Sequence, residues 1–182
     1  MQEKQNKVIT LLLLACAIFC SCAAQTEKIN RENMVVVYFS ATATTQSVAK
    51  KIASAAGAEL KEIIPMEIYT SADLNWRDSQ SRSSVEMHDE KSRPSIQPVD
   101  VKDAKVIYLG YPIWWDLAPR VVNTFLESVD LKGKTIIPFA TSGSGPITNS
   151  VKVLKAQYPE ANWKEGKLLN GASEKTINDF VK

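Results

Sequence analysis

Along residues 34 to 182 the chain alternates short apolar runs with segments whose apolar residues recur at helical spacing. MVVVYFS, residues 34 to 40, is β-rich and apolar at consecutive positions, the pattern of a strand covered by helices on both faces. TQSVAKKIASAAG follows, with Val48, Ile52 and Ala55 on one predicted helical face and Gly57 as its C-terminal cap. AELKEIIP predicts a second short strand ending at Pro65, and KVIYLGYP a third after a long polar stretch. APRVVNTFLESV predicts a helix with Val122, Phe125, Leu126 and Val129 on one side, and KTIIPFA a fourth strand. ITNSVKVLKAQY predicts a helix presenting Val151, Leu154 and Tyr158. NWKEGKLLN is the candidate fifth strand, and SEKTINDFVK a closing helix with Ile177 and Phe180 inward. Strand and helix in alternation at this spacing predict an α/β fold: a five-stranded parallel sheet, doubly wound, with helices on both faces.

Size adds a limit. With 182 residues, 45% of them hydrophobic and 23% charged, the chain suits one globular domain and is short for two. Its 22 basic and 20 acidic residues are spread along the chain, so the net charge of +2 gives no footprint for nucleic acid.

The first residues follow another pattern. Lys4 and Lys7 precede VITLLLLACAIFC, an apolar run short of the ~20 residues that span a bilayer and of the length of an export signal. Cys16, Cys20 and Cys22 all fall here, which leaves the rest of the chain without disulfide or thiol chemistry. FCSC, ending at Cys22, resembles a bacterial lipoprotein signal, in which the cysteine is lipid-modified and becomes the new N-terminus; LLAC, ending at Cys16, is the alternative. Plain cleavage after Ala23 or Ala24, or a start at Met34, are the competing readings. The expected organisation is a signal over residues 1 to 22, a polar tether over 23 to 33 and the domain over 34 to 182. The domain is then expected outside the cytoplasm, in the cell envelope or periplasm, membrane-attached through a lipid at Cys22 or Cys16.

Ligands of doubly wound sheets bind beyond the C-terminal ends of the strands, which directs attention to three turns. SATATTQ, residues 40 to 46, leads from the first strand into the first helix, where unpaired N–H groups and the helix dipole favour an anion. Ser40, Thr42, Thr44 and Thr45 add hydroxyls there, and no Lys or Arg lies in the turn, so a phosphate would be held by neutral donors. Capping alone is the competing explanation, but one cap accounts for one hydroxyl. GYPIWWDLAPR, residues 110 to 120, sets adjacent tryptophans just beyond a strand end; one is expected in the core and one on a flat ligand. ATSGSGP, residues 140 to 146, offers glycines for close backbone approach and polar groups for the edge of a heterocycle. With one histidine and no cysteine in the domain, neither a metal cluster nor a nucleophile–base pair can be assembled.

Together, YFSATATT, GYPIWWDLAP and PFATSGSG, in that order and spacing, resemble the flavodoxin-like family over residues 34 to 182, and DLNWRDSQSRSSVE resembles the long segment between strands two and three in its bacterial branch. The resemblance implies strand order 2-1-3-4-5 and FMN as the ligand. It implies a phosphate loop of Ser40, Thr42, Ala43, Thr44 and Thr45, and a ring-binding turn of Pro112, Ile113, Trp114, Trp115 and Asp116, with either tryptophan stacked on the isoalloxazine. Thr141, Ser142, Gly143 and Gly145 then line the other side and the pyrimidine edge. Two departures stand out. Ala43 and Thr44 occupy the usual Gly-Asn positions of the loop; if position 43 needs a positive φ, alanine costs about 1–2 kcal/mol there. Asp116 stands where many relatives carry a small residue, and its carboxylate would disfavour an anionic reduced ring. The segment from 65 to 100, with Trp76, Arg77, Arg82, His88 and Arg93, is either a cover for the flavin, a partner surface or a solvated helix. His88 is expected at the surface. The implied function is an FMN electron carrier or a reductase of a small quinone-type acceptor, its donor and acceptor unspecified. The alternative is a non-catalytic binding module on a degenerate flavin site.

Overall fold

The computed structural model describes residues 33–182. The expected signal and tether, with Cys16, Cys20 and Cys22, lie outside the described residues apart from Asn33.

Among the described residues the elements are β1 (Met34–Tyr38), α1 (Thr44–Ala56), β2 (Glu59–Glu62), α2 (Arg82–His88), β3 (Val106–Pro112), α3 (Arg120–Ser128), β4 (Thr135–Thr141), α4 (Thr148–Gln157), β5 (Asn162–Trp163), β6 (Lys167–Leu168) and α5 (Glu174–Phe180), the predicted order with α2 added in the long connection and the fifth strand in two pieces. The sheet is parallel throughout, in the order β2-β1-β3-β4-β5. This is the doubly wound α/β arrangement that the pattern implied.

Alternate residues of the central strands feed two cores. Val35, Val37 and Phe39, with Ile107, Leu109 and Tyr111, face a layer that includes Val121, Val122 and Phe125 of α3 and Leu154 of α4. Val36, Tyr38, Tyr108 and Phe139 face Val48, Ala49 and Ile52 of α1 and Ile177 of α5. Burial on both faces is why these strands read as continuous apolar runs. In α1 the buried stripe passes through Thr45, Val48, Ala49, Ile52, Ala53 and Ala56; Ala55, expected inward, is exposed. Gly110 has no side chain because the Phe139 ring packs where its Cβ would stand.

The fifth strand is split. Asn162 and Trp163 pair with Thr135 and Ile136, and Lys167 and Leu168 pair with Phe139 and Ala140. Pro138 is the cause. The carbonyls of Lys134, Ile136 and Ala140 accept from Asn162, Lys164 and Leu169, so even-numbered residues of β4 address the outer strand. Pro138 sits in that series with no N–H, and the ladder breaks opposite it while pairing with β3 on the other side continues.

The long connection between β2 and β3 is pinned at its base by a Pro65–Ile96 bridge, in which Met66 N–H donates to Ser95 O and Gln97 N–H to Ile64 O. Arg93 reaches α3, its guanidinium donating to both carboxylate oxygens of Glu127 at 2.9 Å. Tyr158 at the end of α4 donates to the same carboxylate, at 2.9 Å. Lys134 donates to the carbonyls of Val101, Lys102 and Ala104, fixing the return into β3. Among the described residues no helix is long and apolar enough to cross a membrane.

The Arg93 hydrogen bonds, with help from Tyr158 and against a smaller cost of burial, hold the Glu127 carboxyl below the usual glutamate range. A depressed folded-state pKa contributes stability that is present above about pH 4 and is lost as pH falls through the lower folded value. The thermal midpoint is therefore expected to fall across that acidic window, and Glu127→Gln should flatten the fall. An equal pH slope in the variant would remove this pair from the account of acid stability.

Candidate functional site

The C-terminal ends of β1, β3 and β4 meet at a cavity of about 410 Å³ lined by Ala41, Thr42, Thr45, Leu74, Trp76, Ser83, Pro112, Ile113, Trp114, Trp115 and Ser144. That volume lies within the range of small-molecule sites. All three turns singled out in the sequence contribute to it.

In the first turn, Ala43 occupies the N-cap position of α1 with φ 62°, in the left-handed region, and makes no side-chain cap. The first helical bond runs from Ser47 N–H to Ala43 O at 3.0 Å, which leaves the preceding N–H groups directed out of the helix. The hydroxyls divide their work. Thr42 and Thr44 lie 3.3 Å apart at the surface. Thr45 is buried, its Oγ1 2.8 Å from that of Thr141, so it ties the first turn of α1 to the end of β4. The Ser40 hydroxyl oxygen is buried and has no hydrogen-bond partner among the described residues.

The second turn is a tight hairpin. Trp114 and Leu117 exchange N–H···O bonds of 3.0 and 2.9 Å, and the central pair, Trp115 and Asp116, has φ 48° and 60°. Positive φ at both central residues is the type I′ arrangement, usually made with Asn and Gly. The two indoles differ in burial, although both line the cavity. Trp114 packs in edge-to-face contacts with Phe39 and Tyr69, centroids 5.6 and 5.4 Å away; Trp115 is 40% exposed. His88 is exposed, its ring 6.0 Å from that of Trp115 and its Nδ1 2.7 Å from Ser84 O.

The third turn is shaped by Ser142. Its Oγ accepts from the N–H groups of Ser144 and Gly145, at 3.2 and 2.8 Å. The Asn170 amide clamps the same residue, accepting from Ser142 N–H at 2.9 Å and donating to Ser142 O at 2.7 Å. Gly145 leaves room for Asp116, whose Oδ1 would lie 2.8 Å from a Cβ at position 145. Gly143 has open space around it. Thr141, Ser142, Gly143, Gly145 and Asp116 thus build the turns, while Ser144, absent from the expected set, lines the cavity itself.

Leu74, Trp76 and Ser83 bring the β2–β3 connection into the wall. Sequence spacing gave no pointer to Leu74 or Ser83, because a polar stretch with one short helix carries no sustained period. Behind this wall the Tyr69 hydroxyl donates to Glu86; burial first, then the nearby carboxylate, raises its pKa far beyond the usual tyrosine range, so it keeps its proton. Arg82 lies over the Tyr69 ring at 4.1 Å and bonds Glu86 through Nε at 2.6 Å. Arg120, 3% exposed, donates to the carbonyls of Glu86 and Met87 at the end of α2, a cation at the negative end of the helix. Burial pulls its pKa below the ordinary arginine value.

The sequence model of the Flavodoxin family matches residues 33–182. Among solved structures, a protein of Bacteroides eggerthii assigned as a flavoprotein is 53% identical, with a TM-score of 0.80, over 82% of this chain and 95% of that one. Another so assigned, from Bacteroides uniformis, is 51% identical, with a TM-score of 0.80, over 82% and 97%. A flavoprotein of Lactobacillus acidophilus in complex with FMN shares the fold at 21% identity, with a TM-score of 0.64, over 83% and 99%. No curated protein matches the chain.

The left-handed backbone at Ala43 makes a direct expectation. Ala43→Gly relieves a strain of about 1–2 kcal/mol at a cost in unfolded-state entropy of about 0.5–1 kcal/mol. The thermal midpoint should rise, by up to about 6 °C. A lower midpoint would show that the alanine methyl makes a compensating contact.

Proposed function

The chain belongs to the flavodoxin family, and from that premise we propose that it binds FMN in this cavity and works either as an electron carrier or as a reductase of a small, quinone-type acceptor. One observation carries the reading. Among the described residues the non-glycines at positive φ are Ala43, Trp115 and Asp116, and all three lie in two of the three turns that meet at the cavity. Each costs free energy in a stable domain, and such strain persists where a site requires the geometry.

The residues fit the cofactor. The first turn of α1 offers outward N–H groups and the positive end of the helix dipole to a phosphate, with Thr42 and Thr44 as neutral donors. The buried, unpartnered Ser40 hydroxyl borders the same turn; a polar ligand group there would relieve its unmet hydrogen bond. Trp114, fixed by Phe39 and Tyr69, and Trp115, with an accessible indole, offer flat apolar surface to the ring. The Ser142 turn, clamped by Asn170, holds further backbone polar groups beside the cavity that Ser144 lines. Bound FMN supplies one- and two-electron redox chemistry. The protein's part is to bind, orient and exclude water from the ring. Asp116 puts a carboxylate in the hairpin that carries Trp115, and with FMN bound that charge would oppose accumulation of negative charge on the ring.

A flavin-free binding module is the second reading, supported by Met66, Ile68 and Val85, which are exposed on the β2–α2 connection and α2. Titration separates the two. Purified chain mixed with FMN and freed of excess should stay yellow, with a perturbed visible spectrum that bleaches on anaerobic reduction. Thr42→Ala should weaken FMN binding by about 0.5–1.5 kcal/mol, the contribution of one hydrogen bond. Protein left colourless once saturating FMN has been removed rules out the flavin reading and leaves the module.

We further propose export and attachment to a membrane by a lipid on Cys22, with Cys16 as the alternative. Growth with a clickable fatty acid should label the protein, and Cys22→Ser should abolish the label. Persistence of the label in Cys22→Ser together with its loss in Cys16→Ser would move the anchor.

A further inference from the structure

Three indoles line one cavity, and they are held in different ways. Trp114 is packed into the Phe39–Tyr69 cluster. Trp115 sits on the strained hairpin with His88 beside it. Trp76 comes from the β2–β3 connection and is 68% exposed, with the Arg77 guanidinium 4.9 Å from its ring centre.

The backbone that carries Trp76 is well built. Leu74 N–H donates to Thr70 O, Asn75 N–H to Ala72 O and Ser83 N–H to Asp73 O, at 3.2, 3.2 and 3.0 Å. Asp73 accepts from both the N–H and the hydroxyl of Thr70. Asn75 Oδ1 accepts from Arg77 N–H at 3.3 Å. The polypeptide is thus fixed while a large apolar side chain at its centre stays mostly in water, an arrangement that costs hydrophobic free energy unless a ligand covers the ring. Arg77 occupies one face of the indole and leaves the other available.

A flat ring binds best between two flat walls. The ATSGSGP turn, which abuts the tryptophan hairpin where Gly145 meets Asp116, contains no aromatic residue. We propose that Trp76 is the second aromatic wall, stacking on the isoalloxazine ring of bound FMN, so that the β2–β3 connection supplies the surface that the third turn lacks. This rests on the FMN reading above. Arg77 then stands behind the indole as a positive charge near the ring, in a site whose phosphate turn has neither lysine nor arginine.

The test compares wild-type chain, Trp76→Ala and Trp76→Phe in titrations with FMN and, separately, riboflavin, following flavin emission. Trp76→Ala should weaken both ligands by the same factor, about tenfold, because a stacked ring is lost and the phosphate is untouched. Emission from the bound flavin should rise as a quenching indole is removed. Trp76→Phe should recover most of the affinity. The ligand-free thermal midpoint should be the same in all three proteins, since the side chain is exposed. Trp76→Ala binding within twofold of wild type, with unchanged emission, overturns the assignment while leaving the cofactor reading in place. Weakening confined to FMN overturns it too, because it places the effect at the phosphate. A wild-type chain that takes up neither flavin overturns both.

Discussion

Parallel pairing of β1 with β3 and of β3 with β4 is the constraint on which the rest of this molecule depends. In a parallel sheet every strand ends at the same edge, so the turns after β1, β3 and β4 converge although about a hundred residues separate the first from the last. The Thr45–Thr141 contact is a direct result, joining the start of α1 to the end of β4 inside the protein. The same pairing requires both faces of the sheet to be covered. The two apolar layers, one with α3 and α4 and one with α1 and α5, meet that requirement and hold the strand ends rigid.

Rigidity is what allows the site to carry strain. Left-handed alanine, tryptophan and aspartate cost of the order of 1–3 kcal/mol each and would relax if the surrounding structure allowed it. Ala43 is trapped between the buried end of β1 and the buried stripe of α1. Trp115 and Asp116 are trapped by the paired bonds of Trp114 and Leu117, by the aromatic cluster under Trp114 and by Asn149, which donates to Asp116 O. Alanine at position 43 therefore does not pull the loop out of the left-handed conformation, and stability bears the cost.

The β2–β3 connection is the part of the fold least tied to the sheet and most tied to side-chain chemistry. It has one short helix, and its position comes from Arg93 on Glu127, Arg120 on the last carbonyls of α2, Lys134 on a cluster of carbonyls and the Glu86–Tyr69–Arg82 group. These interactions turn a polar segment into a cavity wall carrying Leu74, Trp76 and Ser83.

Much of this was legible in the residues themselves. Apolar runs flanked by helical stripes declare a parallel sheet, since only strands buried on both faces lose the alternation of polar and apolar positions. Hydroxyl-rich and tryptophan-bearing turns mark the strand ends, where polar caps or charged loops would otherwise stand. Local pattern could not decide three things. The fifth strand breaks because Pro138 lacks an N–H on the side facing it, and which side that is depends on register. Ala43 is left-handed because β1 and α1 are each fixed by packing, which no propensity of alanine reveals. Leu74 and Ser83 reach the cavity because arginines and a lysine dock their segment onto distant helices and carbonyls. Short-range pattern encodes how each segment buries its own apolar face; which polar groups meet across the fold depends on distances that exist only after that burial is complete.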